Sequence, residues 1–259
     1  MAFPPTTGPS TTGSSASGPA PGAGGGRRPF PDGVPDGDTV VFGPDIADES
    51  DLRLIGSPEG RRILELGVGN GRNAVALARQ GARVIAVDPD ADRVARARDL
   101  ATRHEVRVEF HHADLAEVAF LRADSIDLVL SVHALATVPD TDRVIRQAHR
   151  VLRTECPLVL ALPHPARNLV DPTGSDPRRI VRSWFDTGPR RDGTASGSAG
   201  PIYPVTFGGL FGGLFRAGFR VETVAEPEPL PGGPRSPWWD ESMELVPATL
   251  VVRARKVGL

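Results

Sequence analysis

The sequence is poor in several features that mark particular classes of protein. Its one cysteine, Cys156, excludes an internal disulfide and a cysteine-based metal cluster. No stretch approaches the ~18 consecutive apolar residues of a membrane helix. The amino terminus lacks the positive-then-apolar pattern of a secretory signal. These absences predict a reduced, cytoplasmic chain that does not enter a membrane.

The balance of charges also bears on which partners are expected. The chain has 30 Lys and Arg against 32 Asp and Glu, for a formal net charge of −2. Such a balance gives no reason to expect a nucleic-acid partner. His, Cys and carboxylate residues do not cluster at the spacing of metal ligands, so we predict no metal. A small-molecule partner is the remaining expectation, and the oligomeric state is not predicted.

Composition divides the chain into two parts. Residues 1–38 contain 9 Gly, 8 Pro, 4 Ser and 4 Thr. Such a segment buries too little apolar surface to offset its loss of chain entropy on folding. We therefore predict a disordered tail over 1–38 and one compact domain over 39–259.

Strand and helix patterns alternate from residue 48 onward. Continuous apolar strands separated by helices are typical of a parallel sheet covered on both faces. We predict a doubly wound α/β fold whose last two strands form an antiparallel pair at one edge. The predicted strands are 62–66, 83–87, 106–110, 126–132, 157–162, 219–224 and 248–255. The predicted helices are 48–54, 73–80, 91–103, 142–152 and 206–217.

Two stretches break this alternation. Residues 163–205 and 226–247 are irregular, and both are longer than ordinary connections. Loops of this kind select substrates while the regular scaffold holds the chemistry. We predict that both segments are lids over the substrate.

The first predicted strand ends in a glycine-rich turn, Gly67-Val68-Gly69-Asn70-Gly71. Glycines let backbone N–H groups approach a ligand closely, and the turn opens a helix. Alone this is a weak signal. The dinucleotide fingerprint Gly-x-Gly-x-x-Gly requires its third glycine at position 72, where the chain has Arg72. The spacing therefore disfavours a dinucleotide.

Polar residues follow the next three strands. Asp88 ends the second strand, where a carboxylate can accept from both hydroxyls of a ribose. Asp114 follows the third strand and can accept from an exocyclic amine such as that of adenine. Ser131 ends the fourth. Either aspartate alone is more simply explained as a helix cap or loop carboxylate. Together with the glycine turn they predict a nucleoside site.

Four stretches resemble the successive motifs of a known family, the class I S-adenosylmethionine-dependent methyltransferases. Within that family the sequence is most similar to bacterial small-molecule enzymes of the ubiquinone-biosynthesis type. The resemblance covers about residues 45–255 and is specific over 61–165. The matching stretches are 63–78, 84–89, 113–115 and 126–135. It implies a seven-stranded sheet with a reversed last strand, and in-line methyl transfer from S-adenosylmethionine to a small acceptor.

The resemblance also implies roles for individual residues. Glu65 and Asn73, with the glycine turn, would surround the methionine part of the cofactor. Asp88 would take the ribose hydroxyls, Asp114 with its neighbour would hold the adenine, and Ser131 would lie under the sulfonium. The predicted cofactor-binding residues are Glu65, Gly67, Val68, Gly69, Asn73, Asp88, Pro89, Asp114, Leu115 and Ser131.

Three further residues are candidates for the substrate site, and none is assigned as catalytic. His133 and His164 follow the fourth and fifth strands, where a base is needed if the acceptor loses a proton. The alternative for each is a hydrogen-bonded loop histidine. Trp184 would line an apolar acceptor pocket or belong to a satellite core under a long loop.

Two other functions remain open at this stage. A protein of the same fold can bind the cofactor without catalysis and act as a regulator. A nicotinamide-dependent reductase is the less favoured alternative, because of Arg72.

Overall fold

The computed structural model describes residues 38–170, 176, 178–190, 201–232 and 235–258. The predicted tail lies outside these residues except for Asp38. The carboxylate of Asp38 pairs with Arg79 at 2.8 Å.

The described elements follow the predicted alternation of strands and helices. The strands are β1 (Arg62–Leu66), β2 (Arg83–Asp88), β3 (Val108–His112), β4 (Leu128–Val132), β5 (Pro157–Pro163), β6 (Phe219–Ala225) and β7 (Thr249–Lys256). The α-helices are α1 (Glu49–Leu52), α2 (Arg72–Arg79), α3 (Ala91–Arg103), α4 (Thr141–Val151) and α5 (Phe207–Arg216). Three 3-10 helices lie at Ala134–Thr137, Pro165–Leu169 and Glu241–Glu244.

The sheet confirms the predicted fold class. Its seven strands lie in the order β3-β2-β1-β4-β5-β7-β6. All neighbouring pairs are parallel except those of β7, which is antiparallel to both β5 and β6. The strand order reverses between β1 and β4, which is where open α/β sheets bind ligands.

Both faces of the sheet are covered by apolar cores. One core contains residues of α2 and α3 together with Val40, Phe42 and Ile46 of the segment before α1. The other contains residues of α4 and α5. Helices α2 to α5 thus bury their apolar stripes against the sheet, which leaves the carboxyl edge as the place for a site.

Local capping accounts for most differences from the predicted bounds. The third strand begins at Val108 rather than 106, because Glu105 takes a left-handed φ of 55°. Val106 N donates to Ala101 O and Glu105 N to Thr102 O, at 3.1 Å each. This Schellman closure of α3 uses the residues that would have extended the strand.

Another local feature is the turn before β5. Residues 153–156 form this turn with no glycine. Glu155 adopts the left-handed φ of 60° that glycine would take. Its N–H donates to Lys256 O at 3.0 Å. Pairing with β7 therefore holds the turn.

The two predicted lid segments are only partly described. Within 163–205 the chain forms bridges between Val170 and Ile180 and between Arg190 and Ile202. Within 226–247, Asp240 pairs with Arg167 at 2.5 Å. Their role as lids stays a prediction. No helix in the described ranges is long and apolar enough to cross a membrane.

The glycine-rich helix α5 provides a test of how packing holds the fold. Gly213 is buried, and a Cβ there would overlap the carboxylate of Asp142 on α4. Gly208 is exposed, and a Cβ there would meet no atom within 4 Å. The close contact of α4 with α5 therefore depends on Gly213 and not on Gly208.

We expect opposite effects from alanine at these two positions. Gly208→Ala should raise the free energy of unfolding by about 0.5–1 kcal/mol, because alanine loses less backbone entropy in a helix. Gly213→Ala should lower it by about 1 kcal/mol through overpacking. Urea unfolding of both variants would measure the difference. Equal effects of the two substitutions would contradict the contact described between α4 and α5.

Candidate functional site

The glycine turn after β1 lies at the carboxyl edge of the sheet, at the reversal of strand order. Gly67, Gly69 and Gly71 have φ values of 89°, 54° and 85°, which favour glycine. A Cβ on Gly67 would overlap that of Ala134, and one on Gly71 would lie 2.7 Å from the Cβ of Ala97. The turn is therefore tight because the 3-10 helix after β4 and helix α3 pack directly against it.

Asp88 fixes the turn to the neighbouring strand. Its carboxylate accepts from Val68 N and from Asp90 N, each at 2.9 Å. The side chain of Arg93 lies 4.0 Å away. Burial is the largest influence on the group and raises the pKa of Asp88 from its ordinary value, against these hydrogen bonds and the Arg93 charge. The carbonyl of the adjacent Pro89 lies 3.0 Å from His112 Nε2.

Glu65 is a second buried carboxyl group of the site. It is only 2% exposed, and its Oε2 has no hydrogen-bond partner among the described residues. Desolvation, and secondarily the charge of Asp88, hold its pKa well above the ordinary value. An unpaired buried carboxyl oxygen is costly to maintain without a ligand.

Two other predicted residues have well-defined partners within the chain. The amide of Asn73 makes two 3.0 Å hydrogen bonds with the main chain of Val41, donating to its carbonyl and accepting from its N–H. The hydroxyl of Ser131 donates to Leu66 O at 2.8 Å. Asn73 thus attaches the segment before α1 to α2, and Ser131 joins the ends of β1 and β4.

The predicted adenine end lies beyond β3. Asp114 is exposed, and one of its carboxylate oxygens accepts from Ala116 N at 2.8 Å. The neighbouring Leu115 is buried in the apolar core. Asp88 and Asp114 therefore follow adjacent strands at the same edge, as the sequence predicted. Their contact with an adenosine remains a prediction.

His133 lies directly after β4 and is enclosed. It is 4% exposed, with a left-handed φ of 58°. Its Nε2 is 3.4 Å from the hydroxyl of Thr249, and its Nδ1 has no partner among the described residues. Burial lowers the pKa of His133 to about 4. The ring is therefore neutral at pH 7.

His164 has a structural role at the end of β5. Its Nδ1 accepts from Ala166 N at 3.2 Å and caps a 3-10 helix, and its Nε2 is 2.8 Å from Glu226 Oε1. The ring also packs edge-on against Phe207, and the centroid of the Phe207 ring lies 6.1 Å from that of Trp184. The structure thus brings His164 and Trp184 into one aromatic cluster.

Sequence reasoning missed the segment that covers this edge. A Cβ on Gly43 would lie 3.3 Å from His133 Nε2 and 3.2 Å from Ile46 Cδ1. Further along, Asp45 accepts from Ser236 N at 2.8 Å, and so joins the segment to 226–247. The alternation of buried Val40 and Phe42 was the available signal. No described group of three or more His, Cys, Asp or Glu residues is placed to hold a metal ion.

Comparison with known proteins agrees with this geometry. A family described as "Methyltransferase domain" matches residues 63–155. The 27-O-demethylrifamycin SV methyltransferase of Amycolatopsis mediterranei is 38% identical over 114 residues, which are 41% of this chain and 42% of that protein. A ubiquinone biosynthesis O-methyltransferase of Bordetella avium is 34% identical over 93 residues, 36% of this chain and 39% of that protein. The matches thus span about two fifths of the length of these curated relatives.

A structural neighbour covers more of the chain. An S-adenosylmethionine-dependent methyltransferase of Mesorhizobium loti has a TM-score of 0.65 and 27% sequence identity. The alignment covers 78% of this chain and 94% of that one. The motifs, the strand order and these matches agree with one another. Residues 63–155 therefore match the methyltransferase domain family, and the chain has the fold of an S-adenosylmethionine-dependent methyltransferase.

Proposed function

We propose that this protein transfers the methyl group of S-adenosylmethionine to a small-molecule acceptor, and that it acts in the cytoplasm. The observation that carries the proposal is the arrangement of carboxyl groups around the glycine turn. Glu65, Asp88 and Asp114 lie at or beyond the ends of three adjacent strands, beside a turn whose φ values favour glycine. Such a series suits a ligand with an amino acid part, a ribose and a base.

The residues fit the cofactor on grounds of donor chemistry. Glu65 has a buried oxygen without a partner, which is suited to the ammonium of the methionine part. Asp88 keeps lone pairs beyond its two main-chain hydrogen bonds, which are suited to ribose hydroxyls. Asp114 is exposed and has one oxygen without a bond to its own loop, which is suited to the amine of adenine.

The bound cofactor supplies an electrophilic methyl group with a neutral leaving group. The protein then has to align the acceptor and exclude water. The segment from Val40 to Ile46 is suited to exclude water, because it covers His133 and is hydrogen-bonded to 226–247. His133 is neutral, so it can accept a hydrogen bond from an acceptor hydroxyl.

The acceptor is proposed to be small and to carry a hydroxyl group. By their names, one of the curated relatives methylates 27-O-demethylrifamycin SV, and the other is an O-methyltransferase of ubiquinone biosynthesis. A small cleft lies at the end of β5. It is lined by Ala136, Leu162, Asn168, Ile202, Tyr203 and Val205. Tyr203 N donates to Ala136 O at 2.7 Å and closes the cleft on one side.

Asp88→Asn tests the ribose contact. We expect S-adenosylhomocysteine to bind more weakly by about 1.5–3 kcal/mol, the range for a hydrogen bond to a charged group. Asp90→Asn is the matched control. Asp90 caps α3 two residues later, asparagine caps helices equally well, and the affinity should stay unchanged. Calorimetric titration gives both values. Equal affinities of the two variants, with normal circular dichroism, would contradict the assignment of Asp88.

Turnover tests the activity itself. Methyl-labelled S-adenosylmethionine is incubated with the protein and with either the low-molecular-weight or the macromolecular fraction of a cell extract. We expect label and S-adenosylhomocysteine to appear with the small molecules, and Asp88→Asn to reduce the rate at limiting cofactor. Label in the macromolecular fraction would refute the proposed acceptor class. Saturable cofactor binding without turnover on either fraction would favour the non-catalytic alternative.

A further inference from the structure

Glu65 stands among apolar neighbours within the sheet. Its partners across the two adjacent strands are Ala86 of β2 and Leu130 of β4, and both are fully buried. Alternation along β1 places Glu65 on the same face as Ile63, which belongs to the core under α2 and α3. Its Oε2 is left without a hydrogen-bond partner among the described residues. Among the described residues, no hydrogen-bond donor is placed to stabilise a negative charge on this oxygen.

The charged and titratable groups of the surrounding elements do not alter this conclusion. They are Asp88 on β2, Arg93 on α3, Arg72 at the start of α2 and His133 after β4. Of these, Asp88 is the one that acts on Glu65, and its charge raises the pKa of Glu65 beyond the effect of burial. Arg93 lies against Asp88 and Asp90, Arg72 has contacts of its own, and His133 is neutral.

We propose that Glu65 is protonated in the unliganded chain and loses this proton when its carboxylate pairs with the ammonium group of the cofactor, so that cofactor binding releases a proton. The inference rests on the proposed function, since it requires the cofactor to occupy this edge. An unpaired buried carboxylate is unfavourable, whereas a carboxylate paired with a cation is not.

The direction of the pH dependence follows from the two states. The pKa of Glu65 is raised in the free protein and would be lowered by an adjacent ammonium. Affinity for an ammonium-bearing ligand should therefore increase as pH rises between these two pKa values. It should level off above the pKa of the free protein. The slope within that range is at most about tenfold per pH unit.

Two ligands distinguish the contribution of Glu65 to binding from that of the rest of the site. S-adenosylhomocysteine contains the ammonium, and 5′-methylthioadenosine keeps the adenosine but lacks the amino acid part. Calorimetric titrations at pH 6.5 in buffers of different ionisation enthalpy measure the protons released. We expect a greater release with S-adenosylhomocysteine, by up to about one proton. Any proton lost from Asp88 on ribose binding is common to both ligands and cancels.

Glu65→Gln extends the test, since glutamine resembles the protonated side chain in shape and charge. The variant should lose the difference in proton release between the two ligands, and should bind S-adenosylhomocysteine at least several-fold more weakly at pH 7.5. Its affinity for 5′-methylthioadenosine should stay within about twofold. Glu59→Gln, at an exposed position before β1, is the control and should behave as the unaltered chain.

The outcomes distinguish this inference from the proposed function. Equal proton release by the two ligands in the unaltered chain would overturn the role of Glu65, even if methyl transfer occurs. Failure of S-adenosylhomocysteine to bind at any pH would overturn the proposed function and the inference with it. A pH-dependent affinity seen only with the ammonium-bearing ligand supports both.

Discussion

The hydrogen bond from Val68 N to the carboxylate of Asp88 is the interaction on which the candidate site depends. It joins the glycine turn after β1 to the end of β2, across the sheet edge where the strand order reverses. The other oxygen of the same carboxylate holds Asp90 N at the start of α3. One buried side chain thus sets the relative positions of the turn, the second strand and the third helix. Three glycines with positive φ make this close approach possible, because a Cβ at two of them would collide with neighbouring alanines.

A second constraint is the burial of two carboxyl groups at this edge. Glu65 and Asp88 are both almost fully buried, and burial raises the pKa of each. They differ in their partners, since Asp88 receives two main-chain hydrogen bonds and has an arginine nearby, whereas Glu65 has an unpaired oxygen. A buried carboxyl group with an unpaired oxygen destabilises the fold locally at this strand end. In α/β sheets such sites at the carboxyl edge are those where ligands bind.

Much of the fold was predictable from local patterns in the sequence. Continuous apolar strands, the glycine turn and the aspartate after β2 are signals contained within a few residues, and the parallel arrangement then brings the strand ends together. The contacts that shape the candidate acceptor side were not predictable in this way. Asn73 pairs with Val41 across 32 positions, His133 with Thr249 across 116, and Asp45 with Ser236 across 191. No local periodicity predicts such pairs, which is why the burial of His133 beside Thr249 was not predicted from the sequence.

The segment before α1 sets where the folding unit begins. Composition places a change near residue 38, but the burial of Val40, Phe42 and Ile46 shows that the chain from residue 40 belongs to the core under α2 and α3. Asn73 holds this segment at one end and Ser236 at the other. A shortened version starting at residue 47 would remove three core side chains, together with the hydrogen bonds that link this segment to α2 and to 226–247. Any minimal crystallisation variant of this domain must therefore retain residues 40–46.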